Sequence, residues 1–494
     1  MNDLTASKEL NDKGQSTEVA LDLLHSAQQG DVLDVKQSRK LLWKLDLRLV
    51  PLLCITYALQ SIDKTTLNYA AVFGLRDDLG LSSTQYSWSG AIFYLGYLIW
   101  EYPTGLLLQK FPVNRFLSCT VIIWGCVLLC HTPVNNFAGL ATVRTFLGVF
   151  EASIQPATMI IFSMYYKRQE QPFRMGIWIG SAGMGYVIAG IASFGIGHIQ
   201  GSLVSWRLMF IFWGSVTVAW GIFLLWALPG SPVSASFLTE EEKTAVLDRI
   251  KDNGTGLENR KFKKDQFREA MVDLKTWLLF FFAVASNSPN GGLTTFQGLI
   301  IRALGFSVLD TTLIQMPSGG VQAVVCVFAC YMASVFPNAR LATMLACLVP
   351  FLVGLIGLQT VPYSAPYGRL ACLWISFAYT ATWTLSMSVA TANTAGHTKK
   401  VTVNAMLLIG YCLGNFIGPF FFKISQSPDY ELGVGMMFFC LAVQVCCIVG
   451  LGVLFWSRNK RRRVPGCEEE VREAQQNGFL DVTDMKNAYF EYVF

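Results

Sequence analysis

Charge is scarce in this chain: Asp, Glu, Lys and Arg make up 14% of its 494 residues, against about a quarter in ordinary soluble domains. With 53% of residues hydrophobic and a mean hydropathy of +0.42, there is too little polar surface to enclose one soluble core of this length. Histidine is rarer still, at four, and no cluster has metal-ligand spacing, so neither metal nor cofactor is expected. The Gly-x-x-x-x-Gly-Lys-Ser/Thr loop is missing, which removes P-loop ATP-driven pumping, and no nucleophile elbow supports an enzyme. The first forty residues lack a short apolar core near Met1, so no cleavable signal peptide is read there. The 13 Cys, among them Cys54, Cys126, Cys130, Cys326, Cys446 and Cys447, are scattered without a disulfide framework and read as small packing residues. No nucleic-acid partner is expected.

Long apolar runs are present instead. At roughly 20 residues per span, the chain reads as an all-α integral membrane protein with twelve transmembrane helices in two six-helix halves. The spans are placed at Leu49–Leu75, Trp88–Leu108, Leu117–Pro133, Leu140–Met164, Met175–Ile199 and Met209–Leu228. A second set follows at Trp277–Ile301, Thr311–Phe336, Leu341–Thr360, Leu370–Ala392, Val403–Phe422 and Gly435–Trp456. Span length and the absence of polar–apolar alternation argue against an outer-membrane barrel. The resulting organisation is a disordered N-terminal tail (1–44), a first half (45–229), a central loop (230–274), a second half (275–457) and a C-terminal tail (458–494).

Lysine and arginine in the short loops set the orientation. One side collects Arg39, Lys40, Lys44, Arg48, Lys110, Arg115, Lys167, Arg168, Arg174, Arg340, Lys399, Lys400 and the Arg458–Arg463 cluster. The other has only scattered cations such as Arg76, Arg207 and Lys423. Both termini are therefore expected in the cytosol, as an even number of spans demands, and the Asn253 sequon should stay unglycosylated. In the central loop, Thr239 followed by Glu240, Glu241 and Glu242 reads as a capped helix start on a solvated linker.

Within this apolar background, Asp63 and Lys64 stand adjacent in the first run, and Arg144 and Glu151 lie seven apart in the fourth. Ionised groups at membrane depth cost several kcal/mol unless they face a partner or a water-filled cavity. Seven residues put Arg144 and Glu151 on one helix face, roughly 10 Å apart along its axis. Asp63 lies about 21 Å from the cytoplasmic start of its span. The four charges are therefore expected at similar depth around one cavity. The competing reading is ion pairs that hold the first and fourth helices together.

The halves also show an internal echo. Phe111-Pro112-Val113-Asn114-Arg115 follows the second span and Phe336-Pro337-Asn338-Ala339-Arg340 the eighth, and each Arg is followed 29 residues later by another, Arg144 and Arg369. Under that offset of 225, Asp63 and Lys64 fall on Ser288 and Pro289. Pro289-Asn290-Gly291-Gly292 is expected to interrupt the seventh span. Broken or polar helices at corresponding positions of two halves mark the central site of a carrier.

Four motifs carry a family resemblance: Asp63-Lys64-Thr65-Thr66-Leu67-Asn68-Tyr69-Ala70, Arg144-Thr145-Phe146-Leu147-Gly148-Val149-Phe150-Glu151-Ala152, Pro289-Asn290-Gly291-Gly292-Leu293-Thr294-Thr295-Phe296 and Ala395-Gly396-His397-Thr398-Lys399-Lys400. Over about Lys44 to Trp456 the chain resembles the major facilitator superfamily, in the fungal allantoate permease branch of its anion:cation symporters. Two positions depart from the pattern. Gln109 stands where the loop after the second helix usually has Asp, and Lys64 where related carriers often have Arg; a Lys holds an anion as a point charge, without the bidentate fork.

The resemblance implies a proton-coupled symporter, acting as a single copy in the plasma membrane, for a small organic anion such as a ureide or a vitamin carboxylate. It implies that Asp63 and Glu151 carry protons and that Lys64 and Arg144 hold the substrate. Asn68, Asn290, Gln297, Gln315 and Gln322 are candidate pocket lining. Glu101, Arg115, Arg340, Lys399 and Lys400 are candidate gating residues. The fifth span has Gly180, Gly183, Gly185, Gly190, Gly195 and Gly197 but no Pro; drug–proton antiporters of the superfamily place a Gly-Pro pair there, so uptake is favoured over export of a secondary metabolite. A non-transporting nutrient receptor would be expected to carry a larger folded output module.

Overall fold

A computed structural model describes residues 35–167, 170–199, 201–251, 263–336, 338–462, 482–487 and 490–494. The N-terminal tail up to residue 34, the Asn253 sequon and residues 463–481 lie outside the described residues, as does the side chain of Gln109.

The described residues are helical and contain no strand. Nine helices are long and apolar enough to cross a membrane, and Val113–Leu129 is a shorter apolar one. Two more, Ser83–Lys110 and Leu274–Ala303, have crossing length, which brings the total among the described residues to twelve. In order these are α1 (Val35–Val72), α2 (Ser83–Lys110), α3 (Val113–Leu129), α4 (Phe137–Tyr165), α5 (Gln171–Gly197) and α6 (Ser205–Ala227). The second six are α7 (Leu274–Ala303), α8 (Val308–Val335), α9 (Arg340–Thr360), α10 (Pro366–Ala392), α11 (His397–Phe421) and α12 (Glu431–Arg462).

Local chemistry explains several boundaries. Ser82 and Gln85 form a reciprocal capping box at the start of α2, and Asn136 caps α4 through the Gly139 amide, each satisfying amides a helix start leaves unpaired. The central loop carries helices at Glu240–Lys251 and Lys264–Val272, the first capped reciprocally by Thr239 and Glu242. α1 begins at Val35, so the end of the expected tail is its first turns.

Helix pairing repeats between the halves. α1 packs on α5, α2 on α4 and α3 on α6; α7 packs on α11, α8 on α10 and α9 on α12. The halves meet where α5 lies along α8, α1 along α7 and α2 along α11. Small residues permit these approaches. A Cβ on Gly148 would collide with the Phe93 carbonyl of α2, and one on Gly183 with the Gly319 backbone of α8.

The seventh helix departs from expectation. It stays helical through Pro289, although proline has no amide to give the carbonyl four residues back. That carbonyl, on Ala285, accepts a hydrogen bond of 3.3 Å from Gln444 Nε2 of α12. A neighbouring side chain thus replaces the lost bond and keeps the helix intact. Interruptions fall instead in α4, where Ala152 and Ser153 form a turn immediately after Glu151, in α8 at Gln315 and in α10 at the 3-10 turn Phe377–Tyr379.

Candidate functional site: a central cavity with one lysine

Between the halves lies a cavity lined by Tyr57, Gln60, Ser61 and Lys64 of α1, Tyr94 of α2, and Ile179, Ala182 and Tyr186 of α5. The second half contributes Ser286, Asn287, Asn290 and Thr294 of α7, Gln322 and Cys326 of α8, Tyr379, Thr380 and Trp383 of α10, and Tyr411 of α11. Lys64 is the one charged side chain among these lining residues. Its ammonium lies 3.5 Å from the Tyr411 hydroxyl and 5.5 and 5.8 Å from the ring centres of Phe93 and Tyr97. No carboxylate pairs with it directly among the described residues. Cation–π contacts of this kind are worth ~0.5–2 kcal/mol, far less than a charged partner in a dry site.

The other three charges do not line the cavity. Asp63, Arg144 and Glu151 are buried inside the first half at 0, 3 and 0% exposure, which corrects the expectation of four charges around one chamber. Successive residues of a helix point about 100° apart, and here the turn that aims Lys64 into the cavity aims Asp63 into the first half. It lies beside Trp124 of α3, within electrostatic reach of Glu151 and Arg144. Arg144 donates from Nε to the Ser89 carbonyl at 3.1 Å, and its guanidinium sits 5.3 Å from the Phe93 ring centre. Phe93 therefore meets both Lys64 and Arg144. Glu151 lies within electrostatic reach of Lys64 as well as Arg144. The carboxylate oxygens of Asp63 and Glu151 make no geometrically sound hydrogen bond among the described residues. The arrangement is a buried set of two acids and one arginine behind a cavity lysine.

The polar candidates divide in the same way. Asn290 and Gln322 line the cavity, Asn290 also donating to Asn415 at 2.8 Å. Gln297 is buried within the second half and donates to Ser318 at 2.5 Å. Asn68 and Gln315 lie beyond the cavity, on the side away from the face where α1 begins and α12 ends. Asn68 donates to Gln315 Oε1 at 2.6 Å and accepts from the Gly298 amide at 2.8 Å. Nearby, Tyr86 donates to the Thr295 carbonyl at 2.6 Å, Ser87 to the Pro419 carbonyl at 3.1 Å, and Trp88 packs edge-on against Phe416 and Phe420. These bonds seal the far end across the two halves. Asn68→Ala is expected to loosen that seal: a cysteine placed at Thr294 should react with a membrane-impermeant thiol reagent from the far side at least severalfold faster than in the Asn68 background. Equal rates would remove Asn68 from the closure.

At the opposite, terminal face the ion pairs among the described residues do not bridge the halves. Arg174 donates to both carboxylate oxygens of Asp46, from Nε at 2.5 Å and Nη2 at 2.7 Å, while Lys44 and Arg249 pair with Glu242 and Glu170. Lys399 is buried among Glu269, Asp273 and Asp484, all beyond the second half's membrane crossing. Arg340 donates to Ser388 at 3.1 Å, Arg115 is exposed, and Lys400 is half-buried at the start of α11. Glu101 of α2 lies within electrostatic reach of Cys412 of α11 in the other half.

Sequence reasoning missed the aromatic wall. Tyr57, Tyr94, Tyr186, Tyr379, Trp383 and Tyr411 make up a third of the lining. Helical spacing held the signal: Tyr57, Gln60, Ser61 and Lys64 fall on one stripe at intervals of three, four and seven, as do Ser286, Asn287, Asn290 and Thr294.

Two helix bundles with the same pairing around one polar central cavity define a membrane carrier. The chain matches the family model described as Major Facilitator Superfamily over residues 53–419. It is 33% identical to the allantoate permease of Saccharomyces cerevisiae, over 96% of this chain and 89% of that protein. It is 35% identical to the thiamine pathway transporter THI73 of the same yeast, over 92% of this chain and 87% of the relative. The solved structure of the proton:xylose symporter XylE shares the fold, with a TM-score of 0.63 at 12% identity over 83% of this chain and 95% of that one. The chain belongs to the major facilitator superfamily, among fungal transporters that include allantoate permease. It is a multi-pass membrane transporter, and not an enzyme.

Proposed function

We propose that this transporter takes up a small organic anion together with protons, with the terminal face in the cytosol and the plasma membrane as its site. The observation that carries this reading is the solitary charge of the cavity: Lys64 faces an otherwise neutral lining, and no acid forms a direct ion pair with it among the described residues. A cation with no directly paired acid attracts a negative solute by ~4 kcal/mol at contact distance when the effective dielectric constant is about 20. The Asn290 and Gln322 amides and the tyrosine hydroxyls supply the directional hydrogen bonds that select among anions. An anion that neutralises Lys64 removes part of the positive field acting on Glu151, so substrate and proton load together. Asp63 and Arg144 complete the buried relay, and Arg144 is assigned to tuning the acids. Asn68 and Gln315 close the outer end, and Glu101 faces the inner passage.

The same-face clustering of Lys and Arg supports the orientation, and the name of the yeast allantoate permease makes allantoate the first solute to try. Purified carrier in proteoliposomes should accumulate a carboxylate such as allantoate when the lumen is made alkaline, and should not accumulate the corresponding neutral amide. Equal entry of acid and amide, or accumulation indifferent to the pH gradient across a panel of carboxylates, would refute the reading.

A further inference from the structure

We propose that residues 482–494 are a tethered peptide ligand for a pre-built site on the terminal face of the second half, and that its occupancy locks the ends of α7, α9, α10, α11 and α12 into one block.

The site reads the segment in two ways. The first is ionic. Asp484 is fully buried, with Lys275 at 2.9 Å on one carboxylate oxygen and Lys399 at 2.9 Å on the other. Tyr492 also donates to it at 2.8 Å. Lys275 stands at the start of α7 and Lys399 at the start of α11, so one carboxylate joins two helices. Asp273 and Glu269 complete the cluster, Asp273 also pairing with Arg458 of α12 at 2.6 Å. Three acids thus balance three bases only while Asp484 is present. Burial would raise the Asp484 carboxyl, but Lys275 and Lys399 hold it below the usual carboxylate range.

The second is a backbone reading by three asparagines on three different elements. Asn459 of α12 pairs with both the amide and the carbonyl of Tyr492, at 2.9 and 2.8 Å. Asn393, just after α10, does the same for Val493 at 2.7 and 2.9 Å. Asn338, just before α9, accepts from the Phe494 amide at 3.3 Å, and the Arg340 amide donates to the Phe494 carbonyl at 3.0 Å. Tyr492 is stacked on Phe455 with ring centres 5.3 Å apart. Paired side-chain amides on successive peptide groups hold an extended strand as a sheet edge would, while the ionic pocket and aromatic slot fix its register. Arg340 and Lys399, candidates for gating by sequence, are both parts of this site. All of these partners belong to the second half or the helix that leads into it.

The test keeps the carrier whole until it has folded. A protease site is introduced within residues 463–481, the purified carrier is cut, and retention of the 482–494 fragment is followed. The fragment should stay bound after cleavage and be displaced by excess synthetic 482–494 peptide. A peptide carrying Asp484→Asn should compete at least tenfold less well. Carrier stripped of the fragment should melt about 5 °C lower and recover on adding the unmodified peptide. Release at once on cleavage with no change in melting, or equal competition by the two peptides, would overturn the proposal.

Discussion

Lys64→Ala is expected to remove high-affinity binding of the anionic substrate while leaving a folded, monodisperse carrier. Truncating one member of a desolvated charge pair costs about 2–4 kcal/mol, or roughly 30- to 1,000-fold in affinity. The fold should survive because the ammonium's direct partners among the described residues are the Tyr411 hydroxyl at 3.5 Å and two aromatic rings, so no carboxylate bonded to it is orphaned. Arg144 is the necessary contrast: it donates to Ser89 inside the helix packing, and Arg144→Ala should lower stability as well as transport. Equilibrium binding of labelled substrate in detergent, with size-exclusion profiles of each variant, separates the two. Binding by Lys64→Ala within twofold of the parent would place the anion elsewhere.

The second large effect concerns coupling. Glu151→Gln, and Asp63→Asn, should abolish accumulation driven by a pH gradient while preserving counterflow exchange of substrate across the same vesicles. Gln and Asn keep the approximate shape but cannot titrate, and exchange need not move a net proton. Both positions are fully buried, with carboxylate oxygens that make no sound hydrogen bond among the described residues, so the amides sever no such bond. Glu151 carries the stronger expectation, because it lies within reach of Lys64 and at the turn that breaks α4. Gradient-driven accumulation persisting in both single variants and in the double variant would eliminate these acids as coupling groups.

Much of this was legible in the chain. Apolar runs, each about a bilayer long, placed twelve helices with boundaries that shifted mainly at their ends, since hydropathy reports the lipid-facing stretch and not the solvated turns of α1 or α12. Intramembrane charge singled out Asp63, Lys64, Arg144 and Glu151 because ionised groups are too costly there to be incidental. The aromatic wall was not singled out: tyrosine is common in apolar helices, and only the stripe it shares with Lys64 distinguishes Tyr57 from Tyr69, which is buried away from the cavity.

The sequence by itself determined class, helix number, halves and the identity of the costly charges, because these follow from composition and spacing along one dimension. Tertiary structure decided which charge faces the cavity. Asp63 and Lys64 are neighbours in sequence, but the helix turns them roughly 100° apart, one into the bundle and one into the cavity. It also decided the fate of Pro289, whose missing bond is supplied by Gln444 from 155 positions away, and of Asp484, which sits in a stretch that reads as a solvated tail until Lys275 and Lys399 are brought around it. In the last two cases the deciding partner is distant along the chain, so no local pattern encodes it.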